Sequence, residues 1–405
     1  MNQQRQNFYI KYKFMDNSKS SFNILWLRVG LLAGLQAAIT LTWLVYNAYL
    51  PKLLTQFGFP ATLAAGLLIL ENALGMILEP LMGGLSDRTS FKIGSKLPFI
   101  TVGVILSSAL LLAIPCILTF VPPIEVLKGI LPLTLVAWAI AMTIFRSPAM
   151  SFLGRYATPQ ELPLAASLVT LAGGIVGAFR GYGNQFILSL GEIWAFAIAS
   201  FVLLTAGFTL RFFPPPPPTS DIQTPKIPIK PLIYIFLTGA SIAFGTRFLM
   251  DALNKMLKLQ YPTTDISLLM LAVGLTLAAA ALPAGFIGVK LGNTRTMLLG
   301  IAATICGIAI MLYMGALFPI ILIIIAGFSL IVNGVIPFCL NLMPERWGGL
   351  GIGMYFGGFS LAMSLFGVMF PKMEIITPAW GGVGTISAFL LAAVCILFTQ
   401  RKAEV

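Results

Sequence analysis

The sequence contains no histidine, and only 9% of its 405 residues carry a charge. Acidic residues are the scarcest charged class, with 13 Asp and Glu against 25 Lys and Arg. The missing histidine excludes a His-ligated metal, haem or chlorophyll. The missing charge excludes a water-covered globule, because soluble domains carry about a quarter charged residues. Cysteine is sparse too. Cys116, Cys306, Cys339 and Cys395 each lie inside an apolar run with no paired spacing, so they read as small core hydrophobes rather than metal ligands or a disulfide frame. No nucleotide-binding motif is present, which removes ATP as an energy source, and no catalytic constellation or cofactor motif appears, so an enzyme is not expected. The polar N-terminal residues lack the short apolar core of a secretory signal.

What is abundant is hydrophobicity: 58% of residues, with a mean hydropathy of +0.94. A bilayer admits only helical bundles or closed barrels. Apolar runs of about twenty residues match helices crossing about 30 Å of hydrocarbon, not the shorter alternating strands of a barrel. The expected fold is all-α, with spans near 26–50, 61–82, 97–120, 127–148, 163–188, 192–213, 231–250, 263–288, 296–315, 317–341, 350–370 and 380–399. A proline-rich linker at 214–230 separates a first six-helix half, 24–213, from a second, 231–400, with a polar segment at 1–23 and a tail at 401–405. The formal charge of +12 does not call for nucleic acid. Its basic residues gather at one set of connections, including Lys11, Lys13, Arg88, Lys92, Lys96, Arg155, Lys226, Lys290, Arg295, Arg346 and Arg401. The other set holds Lys52, Lys128, Lys255, Lys258 and Lys372. By the positive-inside rule both termini are expected in the cytoplasm.

One stretch, Leu81 to Ile100, "LMGGLSDRTSFKIGSKLPFI", concentrates charge between two apolar runs. It resembles the signature loop between spans two and three of the major facilitator superfamily, and within it the form found in glycoside–pentoside–hexuronide and sucrose-type cation symporters. Gly83, Gly84, Ser86, Asp87, Arg88, Thr89, Gly94, Lys96, Pro98 and Phe99 match, while Ser95 replaces an arginine. Span one, "GLQAAITLTWLVYNAYLPKLLTQFG", and the segment "FRSPAMSFLGRYATPQELPLAASLVTLAGG" are similar to the same group. In the latter, Arg155-Tyr156 stands where that group has an aspartate. A shorter basic turn, "GFIGVKLGNTRTMLLG", repeats the position in the second half. The resemblance implies two pseudo-symmetric halves of six helices alternating around a midplane site. It also implies a secondary-active transporter, a proton-coupled symporter of a sugar or glycoside that acts as a monomer in a plasma or inner membrane, or in a thylakoid. Sodium coupling through Glu71, Asn72 and Asn47 stays open. So do a drug or metabolite antiporter and a pigment-delivery or assembly factor of a photosynthetic membrane.

The candidate residues follow from cost. An ionisable side chain deep in a span is functional by default, and Glu71 lies about 15 Å into span two. It is the candidate proton carrier, with Arg180 of span five as its expected partner or as a donor to substrate hydroxyls. Glu79 with Arg146, and Arg247 with Asp251 at i, i+4, are expected ion pairs and gates. Asp87 and Arg88 are expected to latch the cytoplasmic side, the carboxylate at a neighbouring helix N-terminus and the glycines making a tight turn. Gln36, Thr40, Trp43 and Asn47 share one face of span one, a stripe suited to sugar hydroxyls and an apolar ring face. Tyr234 and Thr238 of span seven, Trp138 of span four and Asn333 of span ten complete the expected substrate set. Glycines 173, 177 and 181, and 349, 353 and 357, recur every four residues as packing stripes.

Overall fold

In the computed structural model, residues 24–60, 62–93, 95–122, 125, 128–216 and 226–400 are described. The segment 1–23, the centre of the linker (217–225) and the tail 401–405 lie outside them, as does the side chain of Lys92. Thirteen α-helices follow one another, with no strand among the described residues. The first half comprises α1 (Trp26–Gln56), α2 (Thr62–Ile93), α3 (Leu97–Phe120), α4 (Ile130–Met150), α5 (Leu162–Ala178), α6 (Asn184–Ser189) and α7 (Glu192–Phe212). The second comprises α8 (Ile229–Gln260), α9 (Ile266–Leu291), α10 (Asn293–Met314), α11 (Phe318–Leu342), α12 (Gly348–Met369) and α13 (Pro378–Gln400). Among the described residues, eleven helical stretches are long and apolar enough to cross a membrane; α5 is shorter, and α6 follows it. Large apolar side chains such as Ile77, Leu133, Trp194 and Phe201 stand exposed around the outside, as in a helix bundle built for a bilayer.

The packing is twofold in plan. In the first half α1 lies on α5 and α7, α3 on α4 and α7, and α2 on α4. In the second, α8 lies on α12 and α13, α10 on α11 and α13, and α9 on α11. Exchanging the halves maps one set of contacts onto the other. It also exchanges the two seams that join them, α2 against α12 and α5 against α9. Both seams are built on glycine. A Cβ on Gly83 would stand 2.2 Å from the Gly349 carbonyl oxygen, and one on Gly353 would stand 2.4 Å from that of Glu79. Across the other seam, a Cβ on Gly285 would meet Ser167, and one on Gly274 would meet Ala178. Backbones approach this closely only where a side chain is absent.

Several sequence boundaries move. α2 does not stop near residue 82 but runs on to Ile93. The charged stretch is therefore mainly helix rather than loop, and Gly83 and Gly84 give close packing instead of a turn. Ser86 and Thr89 hydroxyls donate to the Gly83 and Leu85 carbonyls within it. α8 extends to Gln260, so Lys255 and Lys258 are helical rather than in a connection. Span five, expected to be continuous, breaks at residues 179–183, where Gly181 and Gly183 weaken the helix. Gly183 N–H closes the break onto the Phe179 carbonyl at 2.7 Å.

Candidate functional site

α1 starts and α13 ends at one face of the bundle, here the terminal face. Near the middle of the first half, α1, α2 and α4 bring together Trp43, Tyr46, Glu71 and Trp138, which stand about 12–20 Å from their helix ends at the opposite face. Glu71 is buried, and the Tyr46 hydroxyl donates to one of its carboxylate oxygens; the other oxygen is buried without a partner. The Tyr46 ring stacks on Trp138, with centroids 4.3 Å apart, and Trp43 meets both edge-on at 5.7 and 4.8 Å. Both indole N–H groups, of Trp43 and Trp138, are buried without a hydrogen-bond partner. Unused buried donors and an unused carboxylate oxygen are costly in an apolar interior. This cluster therefore concentrates unspent hydrogen-bonding capacity at one place.

Three sequence-based expectations change here. Glu71 takes Tyr46, not Arg180, as its partner. Arg180 sits in the break after α5 and is exposed. The face of α1 is divided: Thr40 and Asn47 donate to their own helix, to the Gln36 carbonyl at 2.9 Å and the Trp43 carbonyl at 2.7 Å. Gln36 and Thr40 face α5, where a Cβ on Gly173 would touch both side chains. Tyr46 itself was missed, although it lies three residues from Trp43 and so shares its face.

In the second half the expected polar residues disperse. Tyr234 stacks on Phe398 of α13, 6.2 Å away, at the rim of its own half. Thr238 is fully buried with its hydroxyl unpartnered, in the turn that packs against α12 at Gly239. Asn333 joins the halves instead of lining the cluster. Its amide donates to the Pro163 carbonyl in the first turn of α5 at 2.9 Å. Asp251 pairs with Lys255 at 2.7 Å, one turn along α8, and not with Arg247. Lys255 is held further by the Met373 and Ile376 carbonyls. Arg247 lies 5.6 Å from the Phe366 ring centroid and is exposed.

The terminal face is closed by charge. Asp87, fully buried, accepts from the backbone N–H groups of Gly349 and Leu350 at 3.2 and 2.7 Å, in the first turn of α12. Unpaired amides and the helix dipole favour an anion there. Lys96, not Arg88, is the cation beside it; Arg88 is exposed. The Lys96 ammonium also donates to the Ser151 hydroxyl at 2.8 Å. Burial pulls that ammonium below its ordinary range, and the Asp87 carboxylate opposes the shift. Glu79 pairs with Arg146 at 2.6 Å and accepts from the Ser147 hydroxyl, all within the first half. Arg146 then reaches over the Phe356 ring of α12, 4.1 Å from its centroid, and so touches the second half. Arg155 and Glu345 add an ion pair at 3.8 Å across the same face.

Two pseudo-symmetric six-span halves, glycine seams between them and ionic contacts closing one end define a helical membrane transporter. A profile of the Major Facilitator Superfamily matches residues 32–367, and the chain belongs to that superfamily. Its fold is similar to that of a bacterial homologue of the iron transporter ferroportin in an outward-facing state. The TM-score is 0.70 at 16% identity, over 92% of this chain and 99% of the other. The proton:xylose symporter XylE gives 0.68 at 14% identity, over 93% and 95%. The transporter FucP in an outward conformation gives 0.65 at 13%, over 92% and 98%. At these identities the likeness is one of fold.

Proposed function

We propose that the chain is a proton-coupled symporter of a sugar or glycoside, working by alternating access with the terminal face in the cytoplasm. The observation that carries this reading is the pairing of Tyr46 with the buried Glu71 beside Trp43 and Trp138. A carboxylate sealed among aromatic rings binds a proton when it is closed off and releases it when water reaches it. The neighbouring indole faces suit the C–H face of a sugar, and their free N–H groups suit its hydroxyls. Proton and solute thus meet at one place, as coupling requires. The contacts of Asp87, Asn333 and Arg146 hold the terminal face shut in this state and have to break in the other. XylE, a proton:xylose symporter of the same fold, supports the reading as an analogy.

The test is uptake of labelled sucrose and a panel of glycosides into proteoliposomes under an imposed pH gradient, with wild type beside Glu71→Gln. Gradient-driven uptake that Glu71→Gln abolishes, while solute exchange survives, supports symport through this carboxylate. No gradient-dependent movement of any sugar by folded protein sinks it and favours a drug or metabolite antiporter. Co-purification with pigment would instead favour an assembly factor.

A further inference from the structure

Arg180 and Arg247 take part in none of the ion pairs described above. On α8, Asp251 stands one turn beyond Arg247, yet it is engaged by Lys255, whose ammonium is fixed by two carbonyls of the α12–α13 connection. Arg247 therefore keeps no carboxylate and rests against the Phe366 ring. In the first half, Glu71 is engaged by Tyr46 and Glu79 by Arg146, which leaves Arg180 with no carboxylate among the described residues. Both residues are solvent-accessible.

Their positions converge. α1 and α5 run side by side in a fixed register: a Cβ on Gly173 meets Gln36, and one on Gly177 meets Thr40. Past the end of α5 the Arg180 N–H still bonds to the Gly177 carbonyl at 3.2 Å, so the register carries position 180 to about the level of Trp43, at the edge of the aromatic cluster. Ala178, two residues earlier, already touches the second half, against Gly274 of α9. From that half Arg247 rests on the Phe366 ring, and on the neighbouring Gly367 a Cβ would stand 2.8 Å from Ile69 of α2, two residues before Glu71. Two like charges from opposite halves thus flank the same aromatic cluster, neither of them engaged by a carboxylate among the described residues. Such an arrangement is unfavourable on its own and is relieved by a bound oxyanion, to which guanidinium groups donate paired hydrogen bonds.

We propose that Arg180 and Arg247 form a two-guanidinium subsite for the carboxylate or phosphate of an anionic solute, so that the transported glycoside is an acidic one, a sugar acid or a sugar phosphate. This rests on the sugar-symport reading above and names the substrate class of the same site. The aromatic cluster takes the ring and the arginines take the charge. Because one arginine comes from each half, the anion also ties the halves together when it binds, which links occupancy to closure.

The experiment uses the full chain in phosphatidylcholine nanodiscs and measures ligand-dependent thermal shifts. Matched pairs serve as probes: methyl glucoside with methyl glucuronide, methyl galactoside with methyl galacturonide, and glucose with glucose 6-phosphate. Expected is an acidic member that binds about tenfold or more tightly than its neutral partner, as a charge-assisted pair implies, and that inorganic phosphate displaces. In Arg180→Gln and in Arg247→Gln the acidic-to-neutral ratio should collapse toward one, with part of it restored in the Lys variants. Equal affinity within every pair, or a preference that survives both Gln variants, would overturn the proposal. Stabilisation by phosphatidylglycerol in place of the soluble anions would overturn it too, by giving the arginines to a lipid headgroup. Proton-driven uptake of neutral glycosides without acidic preference would sink this inference alone. Acidic preference with no effect of a pH gradient would sink the coupling and leave the subsite standing.

Discussion

The Asp87 carboxylate of α2 accepts the Leu350 backbone N–H of α12 at 2.7 Å, so a side chain of one half caps the first turn of a helix in the other. Lys96 neutralises it from the start of α3. Both charged side chains are almost wholly buried, at 0% and 3% exposure, and removing one strands the other.

Asp87→Asn should therefore cost about 3–5 kcal/mol, as breaking a buried pair does, whereas Asp87→Asn with Lys96→Met should cost less than Asp87→Asn alone. Thermal unfolding in detergent of the two single variants and the double variant closes the cycle. Additive losses would mean that the two residues act independently.

The α2–α12 seam predicts a contrast between glycines. Gly353→Ala puts a methyl group 2.4 Å from the Glu79 carbonyl oxygen, and Gly30 on α1 has nothing within 4 Å. Gly353→Ala should destabilise by about 1–3 kcal/mol through overpacking. Gly30→Ala should be neutral or raise stability by about 0.5–1 kcal/mol, since it only removes backbone freedom. Unfolding midpoints of the two variants check the sign of each change.

Tyr46→Phe deletes the hydroxyl that donates to Glu71 but keeps the ring stacked on Trp138. An intramolecular hydrogen bond contributes about 0.5–1.5 kcal/mol. Gradient-driven uptake should fall by up to about tenfold relative to solute exchange. An unchanged ratio of the two rates would separate Tyr46 from coupling.

Asn333→Ala removes a single interhalf hydrogen bond, to the Pro163 carbonyl. The loss should be modest, about 1 kcal/mol, and should appear as greater access to the terminal face. Labelling of a cysteine placed at Ser167, which is buried beside α9, should quicken by about fivefold when Asn333→Ala is added. Slower or equal labelling would mean that the contact does not hold that face closed.

The helical membrane class and the pairing of two halves were legible, and Glu71, Trp43 and Trp138 could be picked out as candidates, because each rests on local quantities. Run length, charge scarcity and the cost of a buried carboxylate can be counted along one chain. The motif around Asp87 was legible as a motif, but its conformation was not. Gly83 and Gly84 suggest a turn until α12 supplies the backbone that they approach.

Partner choice was the part that only the tertiary structure decided. Glu71 takes a tyrosine 25 positions away, which leaves Arg180 out of that pair. Asp251 prefers the lysine that two distant carbonyls have already fixed. Sequence determined which side chains are too costly to leave buried and idle. Which of them meet depends on helix register and seam geometry, and those follow from backbone contacts between residues hundreds of positions apart, such as Gly83 with Gly349, that no local pattern encodes.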